Sequence, residues 1–148
     1  MNLRYRLMLA ILGFGLLSGC SSKPDGMSSL VKWDKKWQEC NAQGRASTAL
    51  LPESDWFDSL SIEDKKHVIV FINKQKQYEC TKDEATQLKL ALNEQEIQTI
   101  NNLLKGFVYF DAPSSEDVKH LNQEELKKLS DKASLFDLHY VAKSLELI

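Results

Sequence analysis

The chain has 148 residues, with 19 basic and 21 acidic side chains and a formal net charge of −2. This length suits a single domain with a short extension. Because nucleic-acid-binding domains carry a basic patch, the charge balance argues against nucleic acid as a partner.

The first twenty residues have the pattern of an export signal. The first six carry two arginines and no acid, and Leu7–Leu17 is apolar throughout. Small residues follow, and then Cys20. A basic start, an apolar run of about 7–15 residues and a small-residue cleavage site are typical of a secretory signal peptide. The apolar run is shorter than the ~20 residues that a membrane-spanning helix needs.

The end of this segment, Leu17-Ser18-Gly19-Cys20, resembles the lipobox of bacterial lipoproteins. The resemblance implies that residues 1–19 are removed and that Cys20 receives acyl chains such as palmitate. Two or more acyl chains anchor a protein stably in a membrane. Ser21 stands where aspartate would retain an enteric lipoprotein in the inner membrane, so the resemblance implies the outer membrane, facing the periplasm. The alternative is a secreted or inner-membrane-anchored protein with an incidental cysteine.

The remaining two cysteines, Cys40 and Cys80, are an even number in a compartment that permits disulfides. We predict a bond between them, and two free thiols or a pair of intermolecular bonds are the alternatives. A loop of about 40 residues closed in this way would stabilise the fold by roughly 4 kcal/mol in the chain-entropy model.

The mature chain begins with small and polar residues that predict a flexible tether over 20–29, broken by Pro24 and Gly26. The folded domain is therefore expected over 30–148. Its first helix is predicted at 30–41 and is followed by a loop at 43–51. Four apolar residues recur there at helical spacing: Leu30, Trp33, Trp37 and Cys40.

Helix-capping signals predict most of the later elements. Ser61 with acids at the next positions predicts a helix over 62–79, although the β-branched run inside it also permits a hairpin turning at 73–76. A second capping box, Thr81–Glu84, predicts a separate helix that ends at Leu92. Further helices are expected after Pro52, Asn93, Ser115 and Asn122 and over 134–145. The pattern predicts an all-α, compact domain of about six helices on a short lipid tether.

Catalytic motifs are absent from the sequence. The histidines, His67, His120 and His139, have no metal-ligand spacing, and no serine lies in a nucleophile motif. Adjacent acids occur at Glu63–Asp64, Glu116–Asp117 and Glu124–Glu125, where predicted helices begin and acids complement the helix dipole. We therefore expect no enzyme activity, no metal and no cofactor.

One connecting segment is unusually aromatic. Residues 105–113 read KGFVYFDAP, and we predict that Tyr109 and Phe110 are partly exposed and bind a partner, since aromatic residues are enriched in interface hot spots. A strand or loop folded across the core is the other interpretation. Trp33 is a further candidate for the membrane or partner surface, and a core position is its alternative.

These features predict a non-catalytic envelope lipoprotein that binds a protein partner at the membrane surface. Secretion-system pilotins and exclusion lipoproteins have this general architecture, which is an analogy of shape only. A carrier or sensor of a small apolar ligand is the alternative, and it would need an enclosed pocket of ~300 Å³ or more. An envelope hydrolase is a third hypothesis and would use groups such as Glu63, Asp64 and His67.

Overall fold

The computed structural model describes residues 25–104 and 110–148. These residues form six α-helices and one 3₁₀ turn, and they include no strand. The helices are α1 (Gly26–Ala46), α2 (Asp55–Asp58), α3 (Ile62–Ala91), α4 (Glu94–Leu104), α5 (Gln123–Lys132) and α6 (Leu138–Ser144), and the 3₁₀ turn is Glu116–Val118. The predicted all-α fold is confirmed.

Helix α1 packs along the later part of α3, and the two helices run in opposite directions. A side-chain carbon at Gly26 would lie 3.0 Å from Leu92 Cδ2, which places the start of α1 beside the end of α3. Further along, Cys40 of α1 is bonded to Cys80 of α3. The predicted disulfide is therefore confirmed, and it connects the two longest helices of the described chain.

Helix α3 is continuous over 30 residues, where two helices were predicted. Ser61 begins it as expected, because its side chain accepts a hydrogen bond from the Asp64 amide. The second capping box is wrong: Thr81 is only 1% exposed, and its hydroxyl donates to the carbonyl of Gln77 one turn earlier. With its hydroxyl satisfied inside the helix, Thr81 does not end it. The alternative of a hairpin at 73–76 is also wrong.

Helix α1 is longer than predicted at both ends. Asp25 caps its start by accepting a hydrogen bond from the Ser28 amide, so residues 26–29 are helical and do not belong to a tether. The predicted loop at Gly44 is also helical. A side-chain carbon at Gly44 would lie 2.8 Å from Gln77 Nε2, so glycine permits the close approach of α1 to α3.

The first half of α3 carries the main core cluster and is covered by α2, α5, α6 and the 3₁₀ turn. Its buried members are Phe57, Val68, Ile69, Ile72, Val118, Leu126, Leu129, Ala133, Phe136, Val141, Ala142 and Leu147. The Asn73 side chain donates a 3.0 Å hydrogen bond to the Phe136 carbonyl. This contact fixes an extended segment before α6, which begins at Leu138 and not at residue 134 as predicted.

The C-terminus of α6 is closed by two backbone hydrogen bonds. The Leu147 amide donates to the Ala142 carbonyl and the Glu146 amide donates to the Lys143 carbonyl. Glu146 has a φ of 57°, in the left-handed region where glycine is usual. The chain thus ends this helix with a residue that is strained at its position.

The second half of α3 packs on α1 around a smaller cluster of four buried residues: Trp33, Ala85, Leu88 and Phe110. The ring centroids of Trp33 and Phe110 are 4.4 Å apart. Through Phe110, this second core cluster holds the segment that begins at residue 110 against the α1–α3 pair.

Candidate functional site

An open groove lies where the start of α1, the end of α3 and α4 meet. It has a volume of about 610 Å³. Its lining residues are Asp25, Gly26, Met27, Leu30, Ala91, Leu92, Asn93, Gln95, Glu96, Thr99 and Ile100. Its size falls in the range of about 300–1,000 Å³ that is common for binding pockets.

The apolar floor of the groove is the outer side of the second core cluster. Leu30, Leu92 and Ile100 all line the groove, and all three also pack against that cluster while remaining only partly buried. A molecule seated in the groove would therefore extend an existing core and would bury apolar area that water now contacts.

Helix α4 forms one wall and is poorly covered. Among its described side chains none is buried: Ile97 and Ile100 are half-buried, and Leu103 is 78% exposed. Its N-terminus is nevertheless well formed, because Asn93 and Glu96 exchange hydrogen bonds as a capping box. Helix α4 is thus an amphipathic helix whose apolar face has only part of the contacts that it can make.

Other exposed apolar side chains lie on the same elements. Met27 lines the groove and is 68% exposed. Val31 of α1 and Leu90 of α3 are also exposed but do not line the groove, and single exposed hydrophobic residues are common on any protein. Met27 is therefore the one of these three that adds apolar surface to the groove itself.

The rim of the groove is acidic. Asp25 and Glu96 line it, and among the described residues no lysine, arginine or histidine does so. Both carboxylates also accept backbone hydrogen bonds, from the amides of Ser28 and Asn93 respectively. Because these bonds hold the acids in place, the negative charge at the rim is fixed by the two helix starts.

Two of the three predicted partner-binding residues are brought together, but in the core. Trp33 is 3% exposed and Phe110 is 4% exposed, and their rings are in contact. The prediction that Phe110 is partly exposed is therefore wrong, and the core interpretation of Trp33 is the correct one. Tyr109 and the lipidation candidate Cys20 lie outside the described residues.

Of the groups named for a hydrolase, Asp64 contacts a histidine at the start of α3, but this histidine is His120 and not His67. His120 Nε2 lies 2.8 Å from Asp64 Oδ1, and Ser61 Oγ donates to Asp64 Oδ2 at 2.7 Å. These hydrogen bonds, first that of Ser61 and then that of His120, hold the pKa of the Asp64 carboxyl below its ordinary value. In a hydrolase triad the imidazole contacts the serine, whereas here the serine is bonded to the carboxylate. The contacts are those of a helix cap.

Neither a metal centre nor a membrane span is found in the described part of the chain. There, no three histidine, cysteine, aspartate or glutamate side chains come together as a possible metal site. None of the helices over 25–104 and 110–148 is both long enough and apolar enough to cross a membrane.

The groove was not predicted from the sequence, although one signal for it is visible there. The helical spacing of Ile97, Ile100 and Leu103 predicts an apolar face on α4, but spacing does not reveal whether another element covers that face. The assignment of residues 20–29 to a tether also concealed that Gly26 and Met27 form a wall.

Comparison with known proteins finds no relative of this chain. No protein-family model matches the chain, and no curated protein or solved structure is significantly similar to it.

Proposed function

We propose that this chain is a non-catalytic, lipid-anchored protein of the bacterial envelope that binds a protein partner through the groove between α1 and α4. The observation that carries the proposal is the open apolar groove, whose floor of Leu30, Leu92 and Ile100 continues the second core cluster. The acyl anchor on Cys20, and with it the outer-membrane location, rests on the lipobox resemblance.

The position of the groove fits a protein that works at a membrane surface. Residues 21–24 separate Cys20 from Asp25, which caps α1 and lines the groove. A stretch of five peptide steps spans at most about 18 Å. A groove this close to the lipid anchor faces partners that are held in or near the same membrane.

The carrier hypothesis receives less support from this site. A carrier of a small apolar ligand needs an enclosed pocket, whereas the groove is open to solvent and carries polar side chains such as Gln95 and Thr99 beside its apolar floor. An open surface with an apolar floor and a polar rim is the usual form of a protein interface.

The proposal is tested in intact cells with a substitution that fills the groove. Thr99 lines the groove and is exposed on α4, with its hydroxyl bonded to the Gln95 carbonyl. Thr86 is an exposed threonine on α3 whose hydroxyl is bonded in the same way to the Lys82 carbonyl, and it does not line the groove. Thr99→Trp and Thr86→Trp in the tagged full-length protein thus form a matched pair.

Chemical cross-linking and mass spectrometry should recover one dominant envelope partner with the wild type and with Thr86→Trp. Thr99→Trp should lose it at an unchanged protein level. Equal capture by the two variants, or no dominant partner with the wild type, would contradict the proposed binding site.

The anchor is tested separately by metabolic labelling with a palmitate analogue. We expect the wild type to be labelled and Cys20→Ser to lose both the label and the membrane fraction. Ser21→Ala is the control that keeps the label. A labelled Cys20→Ser protein would show that the lipobox resemblance is misleading.

A further inference from the structure

We infer that the occupant of the groove is an amphipathic helix of the partner with lysine or arginine beside its apolar face. The inference rests on the proposed function, because it names the chemistry of the partner at the same site.

The groove walls leave an extended peptide little to pair with. A peptide that binds as an added strand needs a sheet edge with free backbone groups. Here the walls are helices, whose interior backbone groups are bonded within each helix. The side chains of Asp25 and Asn93 also bond amides at the two helix starts. Main-chain pairing is therefore a poor source of affinity at this site.

Two further modes of peptide recognition do not fit the lining. Polyproline segments bind grooves lined by aromatic side chains, and phosphorylated or acidic segments bind clusters of arginine. Within residues 25–104 and 110–148, the groove lining contains neither aromatic nor basic residues. Another common mode is an amphipathic helix that lays its apolar face on an apolar groove, and this mode suits the apolar floor of the site. The two helical walls, α1 and α4, offer ridges between which a third helix can pack.

The negative charge of the rim favours basic residues beside the apolar face of that helix. Asp25 and Glu96 line the groove, and Glu94 lies in the first turn of the same helix as Glu96. The starts of α1 and α4 contribute about half a positive charge each, which offsets only part of three carboxylates. A segment with lysine or arginine beside its apolar face is complementary to this rim, and an acidic segment or an anionic lipid is repelled by it.

The test uses the full-length lipidated chain in nanodiscs of zwitterionic phosphatidylcholine and three fluorescent peptides of equal length. The first has leucine at positions i, i+3, i+4 and i+7 with lysine on the flanks, the second has glutamate in place of lysine, and the third has the first composition in scrambled order. Fluorescence anisotropy at low and high salt gives the affinities, and empty nanodiscs measure partition of each peptide into lipid.

The rim is neutralised without loss of the helix caps. Asp25→Asn keeps a strong N-cap residue, and Glu96→Gln keeps the capping box with Asn93. The matched control is Glu63→Gln with Asp117→Asn, which removes two acids from the first turns of other helical elements and changes the net charge equally.

We expect the lysine peptide to bind more tightly than both other peptides. Loss of two exposed ion pairs should weaken its binding to the rim variant by roughly two- to thirtyfold. The salt dependence should decrease in parallel, and the control variant should behave as the wild type. Equal binding of the glutamate or scrambled peptide, or equal effects of the two double variants, would overturn the inference.

The two proposals fail in different ways. A cellular partner that is lost in Thr99→Trp, together with no preference among the peptides, would leave the proposed function standing and refute the basic helix. Tight binding of the lysine peptide without a cellular partner would refute the proposed function. If Thr99→Trp weakens membrane retention and leaves peptide binding unchanged, lipid fills the groove and the inference is wrong.

Discussion

Replacement of Phe110 by alanine should destabilise the whole domain and should not act as a surface substitution. The ring is 4% exposed, and its centroid lies 4.4 Å from that of Trp33 in a core cluster of only four buried residues. Its removal would leave Trp33 facing a cavity beside Ala85 and Leu88, the other buried residues of this cluster.

The size of the loss in stability distinguishes a core position of Phe110 from an interface position. Truncation of a buried phenylalanine to alanine costs about 3–5 kcal/mol, part of which is the aromatic contact itself, worth about 0.5–1.5 kcal/mol. A surface substitution usually changes stability by less than about 0.5 kcal/mol. Since small domains are stable by roughly 5–15 kcal/mol, Phe110→Ala should still fold but with a much lower midpoint.

Urea unfolding followed by far-UV circular dichroism measures this difference. Tyr140→Ala removes an aromatic side chain that is 44% exposed and serves as the control. Phe110→Ala should also shift tryptophan emission to longer wavelength, because Trp33 becomes more hydrated. A loss below about 0.5 kcal/mol, equal to that of the control, would refute the assignment of Phe110 to the core.

Three other substitutions test separate features of the fold. Replacement of Cys40 and Cys80 by alanine should lower the free energy of unfolding by about 4 kcal/mol, because the two cysteines are 40 residues apart in the sequence. Reductant should lower the urea midpoint of the wild type to that of the variant. An unchanged midpoint would contradict this prediction. Glu146→Gly should raise the free energy of unfolding by about 1 kcal/mol, because φ at this position is 57°, where glycine is not strained. Its melting temperature should rise accordingly, whereas that of Glu146→Ala, which keeps a side-chain carbon, should not. The hydrogen bonds of Asp64 lower the pKa of its carboxyl in the folded state from the ordinary value of 3.8. The ionised carboxylate therefore stabilises the fold at any pH above that ordinary value, and this stabilisation is lost as the pH falls through the lowered pKa of the folded state. Asp64→Asn should therefore be less stable than the wild type at pH 7 and should lose less stability on acidification, and equal pH profiles in urea unfolding would refute this.

Helix starts were predictable where the signal is local. Asn93 and Asn122 each cap the helix predicted to follow, because a side-chain oxygen needs only an amide two or three residues away. The same signal at Thr81 was misleading, since no glycine or proline interrupts α3 and packing against α1 keeps the helix intact. Gly44 was misread for the opposite reason: it serves close packing, which depends on a residue of another helix, Gln77.

The contacts between distant parts of the chain cannot be predicted from one sequence. Trp33 and Phe110 are far apart in the chain, and each has an aromatic character that suits a core or an interface equally well. Only the fold decides which surface each ring covers. The groove is likewise formed by three chain segments, namely α1, the end of α3 and α4. No pattern within one of these segments reveals how the other two are placed beside it.

The location of the groove also bears on how strong its binding must be. Contacts on an open apolar floor such as Leu30, Leu92 and Ile100 would be weak between two freely diffusing proteins, because association must offset the lost translational freedom of both. If Cys20 is lipidated, the protein and a partner in the same membrane already share a thin layer at its surface, so less translational freedom remains to be lost on association than between two freely diffusing proteins. The partly covered face of α4 would thus bind a membrane neighbour while remaining polar enough at its rim to avoid indiscriminate association.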